Sequence, residues 1–506
     1  MKLSRGSLKT FAYLVSFLGM SASISCTPKI NNLLSSNFKL NTNPVARFAS
    51  SMSTFSGIQG GCTGSIILSR YDAAGSLTYP SSATTIALTG MVNGSFYLGA
   101  SCSGTVVTST SIPAGSATTT ISFKNLVASV ESIVMTSTGF TSSNLTVTTA
   151  GLLATRNDTT SGTSGEMWIA SGDFNKDGIR DVVTTNSIDG KIYILKGNGD
   201  GTFQAAVGFG AMTAPRGPTV ADINGDGWDD VVVAEFGTNA FTAFYNNQAG
   251  GFNIQAYATA NAQGETVFLA DFDSDGWMDA AVLTNTPIGN ITVFWGNSTT
   301  PALNFSSNTV LALGAATAPL RVMAADFDKN GTLDFVVPEP ATNKLLYVKN
   351  NGARSFNAVN TAINWGGGVT PADLDIGDIN GDGNLDIVTS FRWATPQIAV
   401  TLGNGDGTFG ATTTYSTSST PNGIKLVDLN NDGYLDIVNA TTSASPGLQI
   451  WFGVGDGTFV VPRNSFATVG NPMQITVSDF NSDGYKDLAV SSLGGTTQMS
   501  AWLNNF

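Results

Sequence analysis

A nine-residue, aspartate-rich segment recurs seven times between Asp173 and Asp487. The first copy reads Asp173-Phe-Asn175-Lys-Asp177-Gly-Ile179-Arg-Asp181, and the others begin at residues 222, 271, 326, 378, 428 and 479. Side-chain oxygens fall at positions 1, 3, 5 and 9, with glycine at position 6. After the first copy the sets are Asp222, Asn224, Asp226 and Asp230; Asp271, Asp273, Asp275 and Asp279; then Asp326, Asp328, Asn330 and Asp334. The last three are Asp378, Asn380, Asp382 and Asp386; Asp428, Asn430, Asp432 and Asp436; and Asp479, Asn481, Asp483 and Asp487. Carboxylates at these positions account for 22 of the chain's 36 acidic residues.

Oxygen donors on alternate residues of a tight loop suit a hard divalent cation. Calcium takes about six to eight oxygens at flexible distances, and a glycine at position 6 permits the sharp turn. The main-chain carbonyl of position 7 adds a ligand, here from Ile179, Trp228, Trp277, Thr332, Asn384, Tyr434 and Tyr485. An EF-hand starts alike but ends with Glu at position 12 between helices; here Asp at position 9 leads directly into a strand pattern. Up to seven structural Ca²⁺ ions are expected, which would offset the net charge of −13. Asn330 replaces the position-5 carboxylate of loop four, so the weakest site is expected there. Loop three, with four carboxylates, is expected to bind tightest.

Other chemistries are closed. The chain has no histidine, so His-dependent nucleophilic catalysis and His-ligated metal sites are excluded. With 23 basic against 36 acidic residues it lacks the basic surplus a nucleic-acid partner requires. No catalytic residue is assigned, and the chain is read as a non-enzyme.

The loops need a scaffold that repeats with them. Their spacings are 49, 49, 55, 52, 50 and 51 residues. Apolar runs enter and leave each loop, as in Met167–Ala170 and Asp181–Thr184; a third run, Lys191–Leu195, leads through a glycine-rich turn to a fourth at Phe203. One four-stranded sheet per repeat of this length predicts an all-β, seven-bladed propeller. The seventh repeat ends after three strands, and Leu152–Arg156 stands where a fourth strand would. We expect it to pair with Met499–Leu503 and close the ring, removing two sheet edges.

The seven loops, with turns such as GNGDGTF at 197–203 and 403–409 and GVGDGTF at 453–459, resemble FG-GAP (VCBS-type) repeats, as in the integrin α-subunit propeller. The resemblance spans 151–506. It implies calcium in the loop joining strands 1 and 2 of each blade, and ligand binding on the opposite face, at the 2–3 and 4–1 connections. Trp365, Arg392 and Trp393 fall in such connections and form the candidate ligand patch. Trp168, Trp295, Trp451 and Trp502 lie in apolar strand patterns and are expected in the core. The glycine-rich turns are expected to be hairpins whose Phe packs between blades; their Asp would repel phosphate, and no helix follows.

Upstream, Lys2, Arg5 and Lys9 precede an apolar run from Phe11 to Met20 and small residues up to Cys26. That pattern predicts a signal peptide over 1–25, too short to span a bilayer. Ser23-Ile24-Ser25-Cys26 resembles a bacterial lipoprotein box, which makes Cys26 the lipidation site and 26–56 a polar tether. Residues 57–150 alternate as an Ig-like β-sandwich, with Cys62 and Cys102 as its disulfide pair. The expected protein is exported and anchored at a bacterial outer membrane or cell surface, or else secreted or periplasmic. Its only membrane contact is the lipid. The leading expectation is a non-catalytic adhesion or recognition module for a glycan or protein; a propeller polysaccharide lyase and an envelope scaffold are the alternatives.

Overall fold

In the computed structural model the described backbone covers residues 153–504 except 161–164, 166–167, 260, 287–288, 298–304, 306, 315–318, 367–369, 393–395, 446, 461–463, 469 and 494–498, together with strands and short adjoining segments between 36 and 150. All regular structure among the described residues is β, and the chain divides into two compact units at Ala150/Gly151.

The second unit consists of seven four-stranded antiparallel sheets. Blade two shows the plan. Its strands Pro215–Ala221, Asp230–Glu235, Ala240–Asn246 and Phe252–Ala258 lie side by side in chain order, and the acidic loop joins the first to the second. Each sheet packs against a neighbour on both faces, so its second strand is buried over nearly its whole length. That is why these strands read as unbroken runs such as Val231-Val232-Val233-Ala234. Cores form between blades: Phe241 packs against Tyr257, Phe294 and Phe305, the last two from blade three.

Strands from opposite ends of the unit close the ring. Leu153–Thr159 pairs antiparallel with Met499–Asn504, setting Arg156 opposite Trp502 and Thr159 opposite Met499. The seventh blade thereby gains its fourth strand from the start of the unit, as the missing strand predicted. Ser171 and Thr476 hydroxyls meet at 3.1 Å between the innermost strands of blades one and seven.

The first unit holds a six-stranded and a five-stranded sheet. Its strands include Thr84–Thr89 and Thr118–Asn125. Two further strands, Ser36–Leu40 and Phe48–Ser50, pair beside Ile66–Arg70, so the stretch expected as tether contributes to this sheet. Cys26, Cys62 and Cys102 lie outside the described residues.

Candidate metal centres

Each acidic loop is built on an apolar anchor. Position 2 is Phe174, Ile223, Phe272, Phe327, Ile379, Leu429 or Phe480, all buried. The backbone then turns through left-handed conformations at positions 4 and 6, as at Lys176 and Gly178, Ser274 and Gly276, or Gly381 and Gly383. Glycine, and more rarely small polar residues, supply that geometry.

The turns fold the odd-numbered side chains back onto the main chain. In loop two the Asp226 N–H donates to Asp222 Oδ1 and Asn224 Oδ1, both at 3.0 Å. Gly227 N–H donates to Asp222 Oδ2 at 2.7 Å, and Trp228 N–H to Asp226 Oδ1 at 2.9 Å. All seven loops repeat this pattern, with Asn330 standing in for the aspartate of loop four. A position-3 amide completes the loop in four cases by donating to the second oxygen of position 5, as Asn175 does to Asp177 at 2.7 Å.

Position 9 works differently. Its carboxylate is fully buried in every blade and accepts one N–H from position 2 and one from the end of strand 3. Asp386 takes Ile379 N–H and Gly403 N–H, both at 2.8 Å; Asp279 takes Phe272 at 2.8 Å and Gly296 at 2.7 Å. The other five blades make the same clamp. Burial pushes these carboxyls up, Asp181 and Asp487 to about 6 and Asp230 and Asp279 to about 7, against the partial opposition of the two N–H donors. A proton and a cation therefore compete for them near neutral pH.

These donor sets fit a hard cation. Oxygens of Asp271, Asp273 and Asp275 lie within 4.8 Å of one another, as do those of Asp326, Asp328 and Asp334. A carboxylate oxygen that accepts one N–H keeps a lone pair for an ion. The acidic clusters could hold metal ions, with positions 1, 3, 5 and 9 as side-chain ligands.

Sequence reading missed two features. Amides at the end of strand 3 hook three blades to the previous loop: Asn246 Nδ2 donates to Phe174 O, Asn350 Nδ2 to Phe272 O and Asn504 Nδ2 to Leu429 O, at 2.7–2.8 Å. In blades one and five a turn glycine does this, Gly201 N–H to Phe480 O and Gly407 N–H to Phe327 O, both at 3.1 Å. The turn Phe packs where expected, Phe203 on Phe480 and Phe409 on Phe327 of the preceding blade. The second missed feature is basic. Arg354 reaches loop three, its Nε 2.6 Å from Asp273 and its Nη2 3.3 Å from Asp275, while Lys349 pairs with Asp328 of loop four.

Of the candidate ligand patch, the two described residues, Trp365 and Arg392, do not meet. Trp365 packs edge-on against Phe391, at 5.0 Å, on the side of blade five that meets blade four. Arg392, the next residue in that strand, faces the other way and donates to Asn422 of blade six. Trp393 lies outside the described residues. Trp295, Trp451 and Trp502 are buried as expected, whereas Trp168 is half-buried.

Comparison with known proteins places these loops. A model of FG-GAP-like repeats matches residues 173–233, 222–282, 271–337, 378–439 and 428–490, more than half the chain in union. No curated protein matches the chain in sequence. Similar solved structures include an Agrocybe aegerita lectin described as recognising non-reducing terminal N-acetylglucosamine, with 19% identity, 61% of this chain and 81% of that chain covered, and a TM-score of 0.43. BBS1N in complex with ARL6DN matches with 10% identity, 70% and 96% coverage and a TM-score of 0.48. A Lactobacillus plantarum protein matches with 13% identity, 76% and 97% coverage and a TM-score of 0.44.

Proposed function

The chain belongs to the FG-GAP-like repeat family, and from that premise we propose that it is an exported, calcium-stapled recognition module that binds a glycan without transforming it. Calcium is the cation the loops favour, because their donors are all oxygen and the loops are open and solvent-facing. The ions hold the loops and take no part in chemistry. A lipid on Cys26 would keep the module at a bacterial surface.

The observation that carries the glycan reading is a cleft of about 300 Å³ beside loop two. Asn247, Gln248, Asn253 and Gln255 line it, together with the loop residues Asn224 and Asp226 and the half-exposed Ile254. Side-chain amides offer donors and acceptors at once, which suits hydroxyl-rich ligands. Against the lyase reading, several basic side chains that could serve as a base are committed within the chain. Arg216 pairs with Glu265 at 2.7 Å, Arg321 with Asp373 at 3.1 Å and Lys425 with Asp375 at 3.4 Å.

The test is a glycan and polysaccharide array probed with the chain in millimolar calcium and again with chelator. Calcium-dependent binding that leaves the polysaccharide intact, and that Asn253→Ala with Gln255→Ala weakens about tenfold (about 1.4 kcal/mol), supports the reading. Shortened product would replace it with the lyase. A blank array from folded, calcium-loaded protein would redirect it to a protein partner.

A further inference from the structure

Loop four differs from the other six in ways that converge on a single function. Its position 3 is Asp328, where five loops carry Asn, and Lys349 places its ammonium on that carboxylate. Position 5 is Asn330 instead of aspartate. Its amide oxygen accepts the N–H and the O–H of Thr332, at 2.8 and 2.5 Å, and its Nδ2 donates to Asn350 O at 2.9 Å. Position 9, Asp334, carries the two N–H bonds of the clamp and in addition accepts the Tyr347 hydroxyl at 2.7 Å. No other blade has a hydroxyl in that register, where Ile194, Ala243, Val293, Val400, Ile450 and Ala501 stand. Lys196 stands in the register of Lys349 in blade one, but position 3 there is the neutral Asn175.

Of the four side chains that a calcium ion would use, Asp328 thus carries an ammonium, Asp334 a hydroxyl, and position 5 is a neutral amide held by its own hydrogen bonds. We infer that Lys349 is a built-in replacement for the cation of loop four, and that this loop keeps its shape without calcium while the others take up the ion. The inference rests on the calcium reading above. Its chemistry is direct: a tethered monovalent cation pairs with Asp328 within the Asp326, Asp328 and Asp334 cluster, and the lost position-5 carboxylate lowers the charge to be balanced. Arg354, in the turn that follows Lys349, serves loop three in a related way. It stands at the left-handed position that Gly201, Gly407 and Gly457 fill in other turns.

The test counts calcium bound to the chelator-stripped full chain by titration calorimetry, with folding followed by circular dichroism. Wild type should bind at least one ion fewer than its seven acidic loops. The double variant Asn330→Asp with Lys349→Met, which rebuilds a ligand and removes the tethered charge, should take up one ion more than wild type. Lys349→Met alone should melt below wild type in chelator and recover in calcium, whereas Lys349→Arg should behave as wild type. A full complement of ions in wild type, or no gain in the double variant while the remaining loops bind, overturns the role of Lys349 alone. No calcium in either protein overturns the calcium reading, and this inference with it.

Discussion

Five of the acidic loops carry Asn at position 3, and loops three and four carry Asp. The backbone is the same in both groups, down to the paired N–H bonds at positions 5 and 6. The charge is handled differently. A neutral amide clips four of the five to their own position 5, inside a single loop. The two Asp loops draw a basic side chain from the turn at 349–356 instead, and for loop three that side chain crosses from blade four. In loop three the change of residue type thus goes with a link between blades, whereas in loop four the basic partner comes from the same blade.

The largest effect should come from the clamp common to both groups. Asp386→Ala leaves Ile379 N–H and Gly403 N–H buried without an acceptor, at about 1–3 kcal/mol each, and Asp334→Ala should cost at least as much. Denaturant unfolding checks this; a loss under about 1 kcal/mol would mean that the clamp is incidental.

A smaller effect sharpens the comparison itself. Asp273→Asn should restore the amide clip to loop three and release Arg354, so pairing it with Arg354→Gly should convert loop three to the common type. Arg354→Gly alone loses an exposed ion pair of about 0.2–1 kcal/mol but relieves a left-handed arginine of about 1 kcal/mol. Its net change should stay within about 0.5 kcal/mol. A double-mutant cycle with a coupling near zero would deny the link.

A further expectation concerns pH. Burial holds Asp181, Asp230, Asp279 and Asp487 at about 6 to 7, above the ordinary 3.8. Between those values the folded chain binds more protons than the unfolded one, so stability in chelator should fall as pH rises from about 4 to about 7. Melting curves at pH 5 and pH 8 give the sign.

Much of this architecture was legible in the sequence because it repeats. The loop spacing gave the blades, and the strand missing after Leu503 located its partner near Leu153. Single events were harder to see. Lys349, Tyr347 and Arg354 lie outside the nine-residue motif, and only the fold carries them to Asp328, Asp334 and Asp273. Asn246, Asn350 and Asn504 share a place at the end of strand 3, so their offset of 16 or 17 residues from position 9 was the signal that could have revealed the hooks. Trp365 and Arg392 both lie at connections in the sequence, but Trp365 packs on Phe391, and Arg392, the next residue of that strand, faces the opposite side of blade five.

Thermal melting of the full chain in millimolar calcium, in millimolar magnesium and in chelator tests the central claim most directly. Sites with dissociation constants of about 10⁻⁴–10⁻³ M would each add about 0.4–1.4 kcal/mol at millimolar calcium. The account predicts a rise of several degrees with calcium, little change with magnesium, and reversal by chelator. Superimposable curves in all three would contradict it and leave the acidic loops as turns held by their own hydrogen bonds.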